Sequence, residues 1–91
     1  MKLTIQLLGQ ARQLATSERL EIDVPEGTTV DDLLPAVLEG ADQRLATVLS
    51  HDQKLRRSVM AILRDETIDP AEADLLKEGD ELSLLPPMSG G

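Results

Sequence analysis

The sequence predicts an α+β domain: a β-sheet with a helix packed across one face. Three observations carry this reading. Two N-terminal segments alternate polar and apolar residues with the period of a half-buried strand. One central segment repeats its apolar residues at helical spacing. Two later apolar segments, each bounded by turn residues, read again as strands. The 91 residues hold a single domain, and no linker or internal repeat divides them. A chain of this size buries roughly 60–65% of its unfolded surface, enough for one modest core and no deep catalytic cavity.

The elements follow in order. Leu3, Ile5 and Leu7 alternate with Lys2, Thr4 and Gln6, and Leu20, Ile22 and Val24 alternate with Arg19, Glu21 and Asp23. The intervening Gly9 to Glu18 is too long for a tight turn and leaves room for a helical turn through Ala11 to Ala15. With no full helix between them, these two strands should pair antiparallel. Pro25-Glu26-Gly27 breaks the second strand. Val30, Leu33, Leu34, Val37 and Leu38 then form one apolar helix face. Thr29 stands at its capping position with Asp32 three residues on. Pro35 would sit past the first turn of a helix starting at Val30, so the helix either begins nearer Asp31 or bends. Gly40 ends it, and Leu45, Val48 and Leu49 mark a second short helix. His51 to Ser58 is polar and reads as a loop. Val59 to Leu63 is a continuous apolar run, read as a strand covered on both faces or nearly so. Ile68 begins a short edge strand that Asp69-Pro70 ends. Leu75 and Leu76 dip into the core, and Glu81 to Leu85 is the last strand, with Leu85 on the face opposite Leu82 and Leu84.

Composition excludes several function classes. The chain has no Phe, Trp or Tyr, so its core must be aliphatic and it offers no base-stacking platform. A net charge of −8 argues against a nucleic-acid partner. It favours a partner with a basic docking face, and reads equally well as acidity that only keeps the chain soluble. Without cysteine there is neither a disulfide nor a thiolate site. No apolar stretch approaches a membrane span, and the alternating N-terminus is unlike a signal peptide, so a cytoplasmic protein is expected. His51, the single histidine, lies in a polar stretch with no second ligand type at useful spacing, so no metal site is expected. Asp31-Asp32 and Asp65-Glu66 read as a helix start and a solvated turn. Lys54 with Arg56-Arg57 reads as a short solvated basic cluster. No Ser-His-Asp set, phosphate loop or zinc motif occurs, and the chain is not expected to be an enzyme alone.

The last eight residues are the most specific. Residues 1–85 form the expected domain, and 86–91 an extended functional tail. Pro86 and Pro87 stop the strand and project a stiff segment, and Gly90-Gly91 finish it without side chains. Leu84-Leu85-Pro86-Pro87-Met88-Ser89-Gly90-Gly91 resembles the ending of the small subunits of molybdopterin synthase, within the ubiquitin-like sulfur carriers that also serve thiazole synthesis. Gly79-Asp80-Glu81-Leu82 is similar to that family's turn into its last strand, and Leu7-Leu8-Gly9-Gln10-Ala11-Arg12-Gln13-Leu14 to its first strand and following helical turn. The chain departs from the family in having Leu63-Arg64-Asp65-Glu66 where a Val-Asn turn is common, and Leu84-Leu85 where aromatics are common. The order strand, strand, helix, strand, strand also suits the β-grasp fold of ubiquitin, in which the first and last strands run parallel at the centre of the sheet.

The resemblance implies a mechanism for the tail. An ATP-dependent adenylating enzyme, like those that activate ubiquitin, would convert the Gly91 carboxylate to an acyl-adenylate, and a sulfur donor protein would leave a thiocarboxylate. Glycine suits this role because a tail without Cβ atoms can enter a narrow channel. The tail, including Gly90 and Ser89, would insert into the large subunit of molybdopterin synthase, with Leu85, Pro86, Pro87 and Met88 as contacts. Arg12 resembles a family position near the partner surface, although a solvent-facing arginine reads equally well. No cofactor would be bound; ATP is used by the activating enzyme. Three rivals stay open: a carrier for thiazole, cysteine or tRNA sulfuration, a ubiquitin-like protein modifier, and a β-grasp binding module whose tail does no chemistry.

Overall fold

The computed structural model describes residues 1–15, 17–73 and 75–87. Strand β1 (Lys2–Leu7) is followed by helix α1 (Gly9–Leu14), strand β2 (Arg19–Asp23), helix α2 (Val30–Leu38) and helix α3 (Gln43–Leu49). Two-residue strands β3 (Ser50–His51) and β4 (Lys54–Leu55) come next, then β5 (Met60–Leu63), β6 (Glu66–Thr67) and β7 (Glu81–Leu85). Among the described residues the main sheet has the order β2-β1-β7-β5-β6, and β3-β4 forms a separate hairpin. β1 pairs antiparallel with β2 and parallel with β7, and β7 pairs antiparallel with β5. The first and last strands therefore lie side by side and parallel near the middle of the sheet. This is the ubiquitin-like β-grasp expected from the element order.

Register explains why one sheet face is dry. Leu3, Ile5 and Leu7 of β1 stand opposite Ile22 and Leu20 of β2 and Leu82 and Leu84 of β7. Leu84 and Leu82 in turn face Ala61 and Leu63 of β5. The β1, β5 and β7 side chains of this set are buried. Val30, Leu33, Leu34 and Val37 of α2 are buried with them, and no polar side chain shares the described core. Full burial of an aliphatic side chain stabilises by about 1.5–3 kcal/mol, so this layer is the main source of stability.

Helix α2 resolves the proline question. Thr29 Oγ1 accepts the Asp32 N–H at 3.1 Å, so the helix starts at Val30 with Asp31 and Asp32 in its first turn, where the helix dipole favours acids. Pro35 lies inside the helix on its exposed side. There the Asp31 carbonyl, which would have received the missing N–H, can be met by water.

Three expectations are corrected. The segment from His51 onward is not all loop: β3 and β4 pair through a turn whose central residues, Asp52 and Gln53, both have positive φ (53° and 67°). Leu55 is buried, and its N–H donates to Asp31 Oδ1 at 3.0 Å, tying the hairpin to α2. The run Val59 to Leu63 is covered on one face only. Val59, Ala61 and Leu63 are buried, while Met60 is 43% exposed and Ile62 half-buried. The edge strand is Glu66–Thr67 rather than a strand begun at Ile68, although the Ile68 N–H continues the pairing by donating to the Ala61 carbonyl at 2.8 Å.

Candidate functional site

The tail leaves the fold from β7, a strand bonded on both sides, to β1 and to β5. Leu82 and Leu84 are fully buried on the helix side, and alternation places Ser83 and Leu85 on the other face. One further parallel bond extends the β1–β7 pairing: the Leu8 N–H donates to the Leu84 carbonyl at 3.0 Å. Gly9 follows at φ +57°, a backbone angle that favours glycine. A Cβ at Gly9 would stand 3.2 Å from Leu85 Cδ1, so the turn lies directly against the root of the tail.

Each expected contact residue has a distinct place. Leu85 is on the predicted face but half-buried rather than fully open, because the Leu8-Gly9 turn leans on it. Pro86 is fully buried. Its ring therefore presents no free surface in this structure. Pro87 is exposed. Arg12 is exposed on α1, a helix packed against β7, and its guanidinium lies 2.9 Å from Glu18. Met88, Ser89, Gly90 and Gly91 lie outside the described residues.

The structure adds neighbours that sequence reasoning missed. Met60 stands directly opposite Leu85 across the β5–β7 ladder, and Ile62 stands opposite Ser83. Leu8, in extended backbone after the buried Leu7, falls on this same face. Leu8, Leu85, Met60 and Ile62 thus form an apolar patch on the helix-free face, at the end of the sheet from which the tail departs. Met60 is the most exposed of them. The only hint in the sequence was its place in the alternation of β5, which a continuous apolar run conceals.

Among the described residues no set of three metal-ligating side chains converges. None of the described helices is long and apolar enough to cross a membrane. What the site presents is a rigid root and an apolar surface beside the point where the backbone leaves the sheet. Such an arrangement can present a chain terminus to another protein.

Comparison with known proteins fits this geometry. The chain is 32% identical over 83 residues to the molybdopterin synthase sulfur carrier subunit of Drosophila erecta, covering 90% of this chain and 82% of that one. It is 26% identical over 91 residues to the corresponding subunit of Chlamydomonas reinhardtii, covering the whole of both. Among solved structures, SAMP1 from Haloferax volcanii superimposes with a TM-score of 0.80 at 28% identity, covering all of both chains. The model of the ThiS family matches residues 5–91, which includes Gly90 and Gly91. The chain therefore belongs to the ThiS family of ubiquitin-like sulfur carriers.

Proposed function

We propose that this protein carries sulfur on the C-terminal carboxylate of Gly91 and donates it in molybdopterin synthesis. Such a carrier is not an enzyme by itself; it brings the reacting atom and its partners bring the catalytic groups. The observation that supports the reading most strongly is the family match continuing through Gly91 beyond a strand fixed on both sides. An adenylating enzyme would use ATP to convert the Gly91 carboxylate to an acyl-adenylate, releasing pyrophosphate. A carboxylate is a poor electrophile, and adenylation gives it AMP as a leaving group. The terminal sulfur of a persulfide on the sulfur donor protein would then attack the acyl carbon and expel AMP, forming an acyl disulfide. A second thiol of the donor would cleave its S–S bond, leaving a disulfide on the donor and the thiocarboxylate on Gly91, whose sulfur takes the nucleophilic part that cysteine plays elsewhere.

The same reading gives the surfaces their roles. Met60, Leu85, Leu8 and Ile62 would dock on the adenylating enzyme and, in turn, on the large subunit of molybdopterin synthase. Pro87 and Met88 would line the entry of the tail, and Ser89 and Gly90 would pass into the partner's channel. Arg12 would sit at the rim of this contact. The work would take place in the cytoplasm, with ATP as a substrate of the partner.

One observation favours a second reading. The likeness to an archaeal protein named small archaeal modifier protein 1, 31% identical over 85 residues, fits attachment of Gly91 to a lysine of another protein. Intact mass after incubation with ATP, the adenylating enzyme and a sulfur donor separates the two. Replacement of one carboxylate oxygen by sulfur, absent when Gly90 and Gly91 are deleted, supports the carrier. A covalent conjugate to a second polypeptide supports the modifier. An unmodified chain, alongside a control carrier modified by the same enzyme, would overturn both.

A further inference from the structure

The charge of the molecule is unevenly placed. His51 to Ser58 holds Lys54, Arg56 and Arg57 against the single acid Asp52, a local +2 that leaves −10 on the rest of the chain. Elsewhere the arginines are engaged internally: Arg12 with Glu18 at 2.9 Å, Arg19 with Glu81 at 3.4 Å, Arg44 with Asp42 at 3.3 Å and Arg64 with Asp80 at 2.7 Å. Among the described residues no ion pair involves Lys54, Arg56 or Arg57. Arg56 is held by other means, its Nε donating to the Thr47 carbonyl at 2.7 Å, which leaves Lys54 and Arg57 exposed and uncommitted.

The segment bearing them is built into the fold. Leu55 is buried, its N–H is held by Asp31, and the Arg56 N–H donates to the Leu49 carbonyl at 2.8 Å. It also adjoins the docking patch. One groove of about 550 Å³ is lined by Lys54, Arg57, Met60, Thr67 and Ile68, with Asp31 and Asp69 on its wall. Both acids are hydrogen-bonded to backbone N–H groups, of Leu55 and Ala71 respectively.

We propose that Lys54 and Arg57 are the electrostatic half of the docking face whose apolar half is Met60 and Leu85, and that their partner is an acidic surface of the enzyme that adenylates the tail. The inference rests on the carrier reading above. It reverses the expectation from net charge, which pointed to a basic partner. Range decides between the two. Glu81, on the same strand as Leu85, lies about 13 Å away along the strand, beyond a Debye length of roughly 8 Å at physiological salt. Lys54 and Arg57 share a groove with Met60. At the docking end Lys54 and Arg57 carry the uncommitted charge: the nearby Asp31 and Asp69 carboxylates are engaged by backbone N–H groups, and the more distant acids are screened.

The test is ATP–pyrophosphate exchange by the adenylating enzyme, with the carrier as varied substrate. K54E/R57E should raise KM about tenfold or more at low salt and leave kcat unchanged. The difference should collapse at high salt, where screening removes steering. K2E/K77E, on the opposite end of the sheet, makes the same change in net charge and should match wild type. The neutral K54Q/R57Q pair, which introduces no repulsion, should give an intermediate KM. Equal KM for K54E/R57E and wild type overturns the proposal. So does an equal rise in both charge-reversed pairs, which would mark a response to overall charge. Failure of wild type to be activated at all would instead sink the carrier reading, and this proposal with it.

Discussion

Met60→Asp is the sharpest probe of the proposed docking surface. Met60 is 43% exposed. Full burial of such a side chain is worth about 1.5–3 kcal/mol, so covering the exposed part in a complex contributes about 0.6–1.3 kcal/mol. Truncation to alanine should therefore weaken binding only about three- to ninefold. An aspartate adds the cost of burying an unpaired polar group, about 1–3 kcal/mol. The total of about 2–4 kcal/mol corresponds to a rise in Kd of about thirtyfold to nearly a thousandfold. Folding loses the covered remainder of the side chain, about 1–2 kcal/mol, which lowers Tm by about 5–15 °C and leaves the protein folded at 25 °C. Titration calorimetry against the adenylating enzyme, with circular dichroism of the variant alone, separates the two effects. A Kd within twofold of wild type from a folded Met60→Asp protein would refute the assignment of this face.

Three further perturbations test the structure beneath the site. Leu84→Ala removes a fully buried side chain next to the tail's root and should cost about 2–5 kcal/mol in urea denaturation; a loss under about 1 kcal/mol would contradict the packing. Gln53→Gly should raise stability by about 0.5–1 kcal/mol, because Gln53 sits at φ 67°, where a side chain costs more than glycine's extra chain entropy. A fall in Tm would count against that turn. Asp42 caps α3 by accepting the Arg44 N–H at 2.7 Å, and its hydrogen bonds with the Arg44 side chain and backbone hold its carboxyl below the ordinary value of 3.8. Its contribution is therefore complete above that ordinary value and lost as pH falls through the lowered one. The stability gap between wild type and Asp42→Asn should be steady near neutrality and narrow in acid; a gap independent of pH down to full carboxyl protonation would show that the charge contributes nothing.

Much of this fold was legible because its polar and apolar residues separate cleanly. Lys2, Thr4 and Gln6 mark the outer face of β1, and Arg19, Glu21 and Asp23 that of β2, so strand and face emerge together. The same alternation put Leu85 opposite Leu84. The β3–β4 hairpin escaped because its strands are two residues long and its turn is Asp52-Gln53, without the glycine that normally announces positive φ. The exposure of Met60 escaped for a related reason: Val59 to Leu63 has no polar residue to show which side meets water. Pro86 and Pro87 are identical in sequence, and only packing separates a buried ring from an exposed linker residue. Lys54 and Arg57 looked like solvated charges because nothing local placed the neighbouring Met60 beside the root of the tail; the long-range pairing of β5 with β7 does that.

The position of β7 has a mechanical consequence. A strand hydrogen-bonded on both flanks, continuing directly into the tail, receives any force applied to the tail along its own length. Such a load is shared among the β1–β7 and β5–β7 bonds at once, rather than opening them one by one from an end. An unfoldase gripping the tail would therefore meet high resistance before the first strand slips, whereas force applied across the edge strand β2 would peel its single ladder progressively. The fold is thus hardest to unravel from its C-terminal end.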